Sequence, residues 1–292
     1  MRTIEQVSAM QAWSREVRGR DGARVALVPT MGALHDGHLS LVDLARRHGD
    51  RVVVSVFVNP VQFDRADDFA RYPRDLERDG ALLAAAGVDV LFAPEVGDVY
   101  PPGAQTFVTV DALAEPLCGA HRPGHFRGVA TVVLKLFTIV QPDVAVFGEK
   151  DYQQLAVIRR MVRDLFLDVD VVGAPIVREP DGLAMSSRNR RLDAAERAAA
   201  RCLSTALDAA EAHVAAGERD GAAIVAAAAG AIAREPRARG EYVALVDADT
   251  LAPVSTLDEC ALVALAVWIG STRLIDNRLL TVPAIKTERR SA

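Results

Sequence analysis

Two histidines stand three residues apart where a predicted strand gives way to a predicted helix. The segment Pro29–Leu39 contains His35-Asp36-Gly37-His38. The apolar run Arg24–Pro29 precedes these residues, and apolar residues recur at helical spacing over His38–His48. Backbone N–H groups and the dipole at a helix start favour an anion, and imidazole N–H groups can donate to phosphate oxygens. The spacing therefore predicts the phosphate end of a nucleotide site.

Two other interpretations of this segment are weaker. A turn with two exposed histidines would not need Gly32 and Gly37, which let the backbone approach a ligand closely. A zinc site lacks an evident third ligand, and the histidines do not have the i, i+4 spacing of an HExxH helix. The position between strand and helix favours phosphate binding.

Two more segments offer donors suited to polyphosphate. Gly148-Glu149-Lys150-Asp151 follows a predicted strand, so Lys150 is expected at the same sheet edge as His38. Met185-Ser186-Ser187-Arg188 supplies two hydroxyls and a guanidinium, and its position near a predicted domain boundary suggests a flap that closes over ligand. The alternatives are an ordinary charged turn for the first segment and a capping serine pair beside a surface arginine for the second.

Two loops carry further polar candidates. Gln62 lies in Asn59–Phe63, directly after the β-branched run Arg51–Val58, and is expected at the carboxyl edge of the sheet. The loop His121–Gly128 holds two histidines and two arginines. It could bind a carboxylate or phosphate, or it could be a solvated basic turn, and the residues alone leave both interpretations open.

The elements that must position these residues alternate between strand and helix over the first half of the chain. Strands separated by helices predict right-handed crossovers and a Rossmann-like parallel sheet flanked by helices. Further strands are predicted over 88–92, 144–147 and 168–172. Helices are predicted over 75–86, 128–141 and 152–165.

The second half is different in character and predicts a smaller α+β domain. Asp193 and Glu196 have the spacing of a capping box ahead of an alanine-rich helix to about Ala216. Another helix is predicted over 220–234, with strands over 242–247, 261–269 and 272–276. We expect a nucleotide-binding domain over 1–176 and a smaller C-terminal lid domain over 177–292.

Composition excludes several classes of function. The net charge is −5 without a large basic tract, which argues against a nucleic-acid partner. No apolar run reaches the roughly 18 residues of a membrane span. The start of the chain lacks a signal peptide, and three widely spaced cysteines suit reduced thiols in a cytoplasmic protein. We therefore expect a cytoplasmic protein with small-molecule ligands.

The motifs taken together resemble the pantothenate synthetase (pantoate–β-alanine ligase) family over nearly the whole chain. An HxGH element alone is shared across nucleotidylyl transferases, whereas the combination is much more specific. The matching motifs in this sequence are PTMGALHDGH, NPVQF, RPGHFRGV, FGEKDYQQL and MSSRN. The resemblance implies an ATP-dependent ligation in two steps. Pantoate and ATP give pantoyl adenylate and pyrophosphate, and the amine of β-alanine then displaces AMP to give pantothenate.

The resemblance also implies the residues of the site. Gln62 and Gln154 hold pantoate, with Gln62 also near β-alanine, and His38 is the family's proton donor. The implied ATP contacts are Met31, Gly32, Ala33, Leu34, His35, Asp36, Gly37, His38, Gly148, Glu149, Lys150, Asp151, Val177, Met185, Ser186, Ser187 and Arg188. The candidates for catalysis are His35, His38, Lys150, Ser186, Ser187 and Arg188.

Electrostatics supplies a reason for this choice of residues. A carboxylate approaching a polyanion is repelled, and lysine, histidine, arginine and Mg²⁺ on the phosphates can neutralise that repulsion. Neutral amides orient pantoate without binding its carboxylate too tightly. An acyl adenylate would hydrolyse in water, so closure of a lid would protect it. Asp75 and Asp79 are candidate Mg²⁺ ligands, and the base that deprotonates β-alanine is left open.

Three rival interpretations remain at this stage. Another nucleotidylyl transferase would release a nucleotide diphosphate conjugate instead of AMP and an amide. A nucleotide-binding sensor would be expected to lack Lys150 or the Ser-Ser-Arg cluster, and both are present. A tRNA synthetase would need an anticodon-binding module, for which the acidic chain has no candidate. The family is usually dimeric, so a homodimer is expected from the resemblance.

Overall fold

Valine-rich runs form the buried strands of a parallel sheet in the computed structural model, which describes residues 1–64 and 66–282. The strands are β1 Arg2–Ile4, β2 Val25–Thr30, β3 Arg51–Val56, β4 Val90–Phe92, β5 Val144–Gly148 and β6 Asp170–Ala174. Their order in the sheet is β1-β4-β3-β2-β5-β6, and every pairing is parallel. The sequence order reverses between β2 and β5, which makes this the topological switch point where ligands bind in open α/β sheets.

Amphipathic helices connect the strands of this sheet. They are α1 Val7–Asp21, α2 Asp36–His48, α3 Ala66–Ala70, α4 Leu76–Ala85, α5 Val96–Val99, α6 Cys118–His121, α7 His125–Val140 and α8 Tyr152–Asp164. The helix α2 packs Leu41, Val42 and Ala45 against the sheet core. The helix α7 is apolar and buried along most of its length, which explains why its valine-rich sequence still forms a helix.

A separate antiparallel sheet lies in the C-terminal part of the chain. Its strands are β7 Ala238–Val246, β8 Cys260–Ile269 and β9 Thr272–Thr281, in that order across the sheet. Its helices are α9 Ala194–Ala200, α10 Cys202–Ala215 and α11 Gly221–Ala233. Alternate residues of β8 face these helices in one apolar core, whose members include Val263, Leu265, Val267, Leu203 and Leu207.

The chain divides into two compact units. The first consists of residues 1–179 and 184–189, and the second of residues 180–183 and 190 onward. The predicted boundary at 176/177 lies three residues before residue 179, where the chain first leaves the first unit. The prediction also placed residues 184–189 in the second domain. Residues 184–189 belong to the first unit because their backbone bonds to it: Met185 N–H donates to Val177 O at 2.9 Å, and Arg178 forms a β-bridge with Ala184. The role of the second unit as a lid stays a prediction.

The predicted fold class is confirmed, and several local predictions are corrected. The first strand and helix, β1 and α1, were not predicted. The single alanine-rich helix expected from 193 to 216 is two helices, because Arg201 N–H bonds to Ala198 O instead of continuing the α pattern. The capping box of Asp193 and Glu196 is present as expected. Among the described residues, no helix has the length and apolarity to cross a membrane.

Candidate active site

A cavity of about 230 Å³ opens at the carboxyl ends of the parallel strands, next to the switch point between β2 and β5. All of its lining residues belong to the first unit. Chain segments after β2, β3, β5 and β6 contribute to it, as does one stretch of α7 from His125 to Leu136. Five segments that are far apart in sequence therefore meet in one place because each follows a neighbouring parallel strand or packs beside one.

The loop between β2 and α2 is stabilised by the buried carboxylate of Asp79. Asp79 is 1% exposed, and its two oxygens accept the backbone N–H groups of Ala33 at 2.7 Å and Leu34 at 2.9 Å. Gly32 has a φ of +79°, and a Cβ there would lie 2.9 Å from an Asp79 oxygen. The loop conformation thus requires glycine, and these two N–H groups are already bonded.

The two histidines of this loop stack on each other beside the cavity. The ring centroids of His35 and His38 are 4.1 Å apart, and both side chains line the cavity. Burial, followed by the electrostatic influence of His35 and Lys150, lowers the pKa of His38 to about 3. His38 is therefore neutral at pH 7 and offers one N–H and one lone pair. Among the described residues its Nδ1 has no hydrogen-bond partner.

The turn after β5 brings a lysine and a carboxylate to the same edge. Lys150 Nζ lies 3.9 Å from Asp151 Oδ2, and both residues line the cavity. Desolvation would raise the pKa of Asp151, but the charges of Lys150 and then Arg188 outweigh it and keep this pKa below its ordinary value. The carboxylate is thus ionised and lies among several cations, whose charge it partly neutralises.

The Ser-Ser-Arg segment is anchored next to the end of β6. Arg188 Nη2 lies 3.3 Å from Asp68 Oδ2, and the Arg188 N–H donates to Ser186 Oγ at 3.2 Å. The hydroxyl of Tyr72 is hydrogen-bonded to Ser187, and Tyr72 also lines the cavity. Lys150 and Arg188 carry positive charge, and the neighbouring side chains can donate hydrogen bonds to the same anion. We call this set the cationic cluster, and its members are His35, His38, Lys150, Ser187 and Arg188.

The side chain of Gln62, by contrast, is held by neutral partners. The residue is 9% exposed, and its Oε1 accepts from Asn59 Nδ2 at 3.0 Å while its Nε2 lies 3.1 Å from Met31 Sδ. Asn59 is in turn fixed by the Tyr100 hydroxyl at 2.9 Å. The orientation of the amide is therefore determined before any ligand binds.

The His121–Gly128 loop turns two of its side chains toward Gln62. His125 Nδ1 lies 2.8 Å and Arg122 Nη2 3.3 Å from the backbone oxygen of Gln62. A Cβ on Gly128 would lie 2.6 Å from Val61 O, so only glycine permits this close approach. The interpretation as a solvated basic turn is thus wrong for Arg122 and His125. We call Asn59, Gln62, Tyr100, Arg122 and His125 the amide cluster.

Two neighbouring glutamines on α8 have separate roles. Gln154 lines the cavity. Gln153 is 6% exposed and bonds three backbone groups, donating to Leu113 O and Pro116 O and accepting from Cys118 N–H. The cavity also has an apolar wall, which consists of Phe57, Val129, Val132, Val133, Leu136 and Phe147.

Most of the sequence-predicted site residues meet in this cavity. Those lining it are Met31, His35, Gly37, His38, Gln62, Gly148, Lys150, Asp151, Gln154, Val177, Met185, Ser186, Ser187 and Arg188. Those not lining it are Gly32, Ala33, Leu34, Asp36 and Glu149. The sequence reasoning missed Asn59 and Tyr72. The strand-end position of Asn59 was an available signal, whereas Tyr72 lies in a segment without a recognisable pattern.

The candidate metal ligands have structural roles. Asp79 supports the β2–α2 loop, and Asp75 accepts the N–H of Arg78 as the N-cap of α4. Within residues 1–64 and 66–282, no group of three or more His, Cys, Asp or Glu side chains could hold a metal ion.

A parallel sheet with a polar cavity at the carboxyl ends of its strands is the arrangement of a ligand-binding α/β enzyme. Sequence comparison specifies the class further. The family model for pantoate-beta-alanine ligase matches residues 2–279. The chain therefore belongs to the pantoate-beta-alanine ligase family, and it is a ligase.

Individual relatives match the sequence of this chain along nearly their whole length. A pantothenate synthetase of Heliobacterium modesticaldum is 58% identical over 282 residues, which cover 97% of this chain and 100% of the relative. The crystal structure of pantothenate synthetase from Thermus thermophilus is 50% identical with a TM-score of 0.90, covering 95% of this chain and 99% of that one.

A second structure was determined with ligands. It is the pantoate-beta-alanine ligase of Francisella tularensis complexed with beta-gamma ATP and beta-alanine. It is 34% identical to this chain with a TM-score of 0.77, and the match covers 96% of this chain and 97% of that one. These matches confirm the resemblance on which the sequence interpretation relied.

Proposed function

We propose that this enzyme joins pantoate to β-alanine at the expense of ATP, through a pantoyl adenylate, and releases AMP and pyrophosphate. The observation that carries the proposal is the presence of the cationic cluster and Gln62 in one cavity. The ATP- and β-alanine-bound structure of the Francisella relative supports the choice of these two substrates. The same cavity provides donors for phosphates and neutral groups for a hydroxy acid.

In the first step, a carboxylate oxygen of pantoate attacks the α-phosphorus of ATP. The bond from that phosphorus to the β-phosphate oxygen breaks, and pyrophosphate leaves with the electron pair. Lys150 and Arg188 reduce the repulsion between the two anions and stabilise charge on the leaving group. Ser186 and Ser187 add hydroxyl donors for the pyrophosphate. Mg²⁺ would enter with the phosphates of the nucleotide, because this ion is commonly held by substrate phosphates and water.

The charge state of His38 limits the role that this residue can have in the reaction. Its pKa of about 3 makes the free imidazole neutral. A bound polyanion favours the imidazolium, because an opposite charge within a few ångströms raises the pKa of histidine. His38 therefore acts first as a neutral N–H donor to phosphate, and any role as a proton donor requires that ATP already be bound.

In the second step, the amine of β-alanine attacks the acyl carbon and AMP leaves with the electrons of the C–O bond. The ammonium group must first lose a proton. Gln62 and Gln154 hold the hydroxyls of pantoate, since an amide both donates and accepts. The apolar wall of Phe57, Val129, Val133 and Phe147 suits the two methyl groups of pantoate.

Pantoate-dependent exchange of labelled pyrophosphate into ATP tests the adenylate step. We expect exchange with ATP and pantoate alone, and pantothenate with AMP once β-alanine is added. Pyrophosphate exchange at the same rate with and without pantoate would overturn the proposal. Release of a nucleotide diphosphate conjugate would favour another nucleotidylyl transferase instead.

A further inference from the structure

The protonation of His125 can be read from its two hydrogen-bond partners. Its Nδ1 lies 2.8 Å from the backbone oxygen of Gln62, and its Nε2 lies 3.1 Å from Arg122 Nη1. A carbonyl oxygen only accepts, so Nδ1 must carry a proton. A guanidinium only donates, so Nε2 must carry a lone pair. His125 is thus a neutral imidazole in the Nδ1–H tautomer.

The surroundings of His125 keep it in this neutral state. Burial, and then the charge of Arg122, lowers its pKa to about 4, against the opposite influence of Asp151 and Asp64. A second proton on Nε2 would also point at the guanidinium of Arg122. The ring therefore functions as a hydrogen-bond relay between Arg122 and Gln62 and has no free proton to exchange at pH 7.

Arg122 completes a clamp on the backbone of Gln62. Its Nε donates to Asp64 Oδ1 at 3.0 Å, its Nη1 to His125, and its Nη2 lies 3.3 Å from Gln62 O. Gly128 closes the other side, since a Cβ there would lie 2.7 Å from Gln62 Cα. The backbone of Gln62 is therefore held by the start of α7, while Asn59 holds its side chain.

We propose that Arg122 and His125 are positioning residues, which fix Gln62 in the orientation that binds pantoate. This inference rests on the proposed function, in which Gln62 contacts pantoate. The two residues act through Gln62, and the hydrogen bond of the His125 Nδ1–H to its carbonyl is the essential link.

Substitution of His125 in the full-length enzyme separates this role from a general effect on stability. His125→Phe keeps a ring but removes the donor, and we expect the KM for pantoate to rise about tenfold, the scale of one lost buried hydrogen bond. The KM for ATP should stay unchanged. His125→Asn places an amide N–H near the former Nδ1, and its KM for pantoate should return to within about threefold of the wild-type value. An equal rise in both KM values, or no rescue by asparagine, would overturn the proposal.

A double-mutant cycle tests whether His125 acts through Gln62. In a Gln62→Ala background, His125→Phe should have little further effect on the KM for pantoate, because the positioned side chain is gone. Additive effects would mean that His125 contacts the substrate directly, and would refute the positioning role.

The tautomer can be measured without any substrate. ¹⁵N NMR of labelled histidines should show the Nδ1–H form for His125 and a loss of that signal in His125→Phe. An Nε2–H form would overturn the clamp whatever the enzyme's activity. Absence of pantoate-dependent exchange in a wild type with the Nδ1–H form would instead overturn the assignment of pantoate, so the two failures are distinguishable.

Discussion

The cationic cluster and, apart from Tyr100, the amide cluster line one cavity, but the two clusters are stabilised in different ways. Every polar atom of the Gln62 side chain has a neutral partner, and no charge has to move before a ligand binds. Arg188, by contrast, is paired with Asp68, and Lys150 lies near Asp151. A polyphosphate must therefore replace existing ion pairs, whereas a hydroxy acid meets a group that is already oriented.

This difference follows from what each ligand requires. Specificity for a small uncharged region of a molecule needs fixed donors and acceptors, because an unpaired buried polar group costs about 1–3 kcal/mol. Binding of a polyanion needs positive charge, and the carboxylates of Asp68 and Asp151 neutralise that charge until the anion arrives. One cluster thus provides geometry and the other provides charge.

Removal of a phosphate donor from the cationic cluster should have the largest effect. We expect Lys150→Ala to slow adenylate formation by at least about 100-fold, the usual scale for one transition-state donor, and His38→Ala to do the same. Pantoate-dependent pyrophosphate exchange measures the step. Arg160→Ala is a suitable control, since Arg160 is an exposed cation on α8 paired with Asp164. Near-normal exchange in Lys150→Ala would contradict the proposal that Lys150 stabilises charge during adenylate formation.

Loss of the oriented amide should affect one substrate only. Gln62→Ala is expected to raise the KM for pantoate about tenfold or more, as the loss of hydrogen bonds to its uncharged hydroxyl groups predicts, with the KM for ATP close to wild type. Steady-state kinetics with each substrate varied in turn measures both values. An unchanged KM for pantoate would contradict the assignment of Gln62.

The adjacent glutamines of α8 provide a matched pair. Gln153→Ala should lower the free energy of unfolding by about 1–3 kcal/mol, because buried backbone groups lose their partner. Gln154→Ala should leave stability unchanged and raise the KM for pantoate. Urea unfolding and kinetics on both variants test this. The reverse pattern would show that the site uses Gln153.

The neutral histidines predict how stability depends on pH. The pKa values of His38 and His125 in the folded protein are about 3 and about 4, below the roughly 6.5 of an unfolded chain. The unfolded state therefore binds more protons below pH 6.5, and the free energy of unfolding should fall as pH drops from about 6.5 toward 4. Urea unfolding at pH 7 and pH 5 measures this fall, which should be smaller in His125→Asn than in the wild type. Parallel pH dependence in the two proteins would argue against a buried neutral His125.

The ion pair of Asp68 and Arg188 should have the smallest effect. Asp68→Asn frees the guanidinium from a competing carboxylate, and we expect the KM for ATP to fall by a few-fold, about the worth of a partly exposed ion pair. The KM for pantoate should not change. A higher KM for ATP would mean that Asp68 helps to hold the nucleotide.

The chemistry of the site could be predicted largely from residue types near strand ends. Lys150 and the two histidines were recognisable because each follows an apolar run, and the Ser-Ser-Arg segment was recognisable from its closely spaced donors near a predicted domain boundary. Gln62 was a candidate from its position after a strand, whereas Gln154 and the pantoate-binding role of both glutamines came from the family resemblance. The alternation of strands and helices also predicted the Rossmann-like sheet, since hydrophobic periodicity is a local property of the chain.

Other features depended on contacts between distant parts of the chain. Asp79 was a candidate metal ligand in sequence and is a brace for Ala33 and Leu34 in the fold. The His121–Gly128 loop admitted two interpretations until its side chains were seen beside Gln62. Tyr72 had no local signal at all.

The sequence by itself determined the class of fold, the family and the kinds of group available for chemistry, because these depend on residue type and on spacing along the chain. The tertiary structure alone decided which polar groups face the cavity and which are used to hold others in place. It also decided the charge state of His38 and the tautomer of His125, because burial and hydrogen-bond partners come from residues that are remote in sequence.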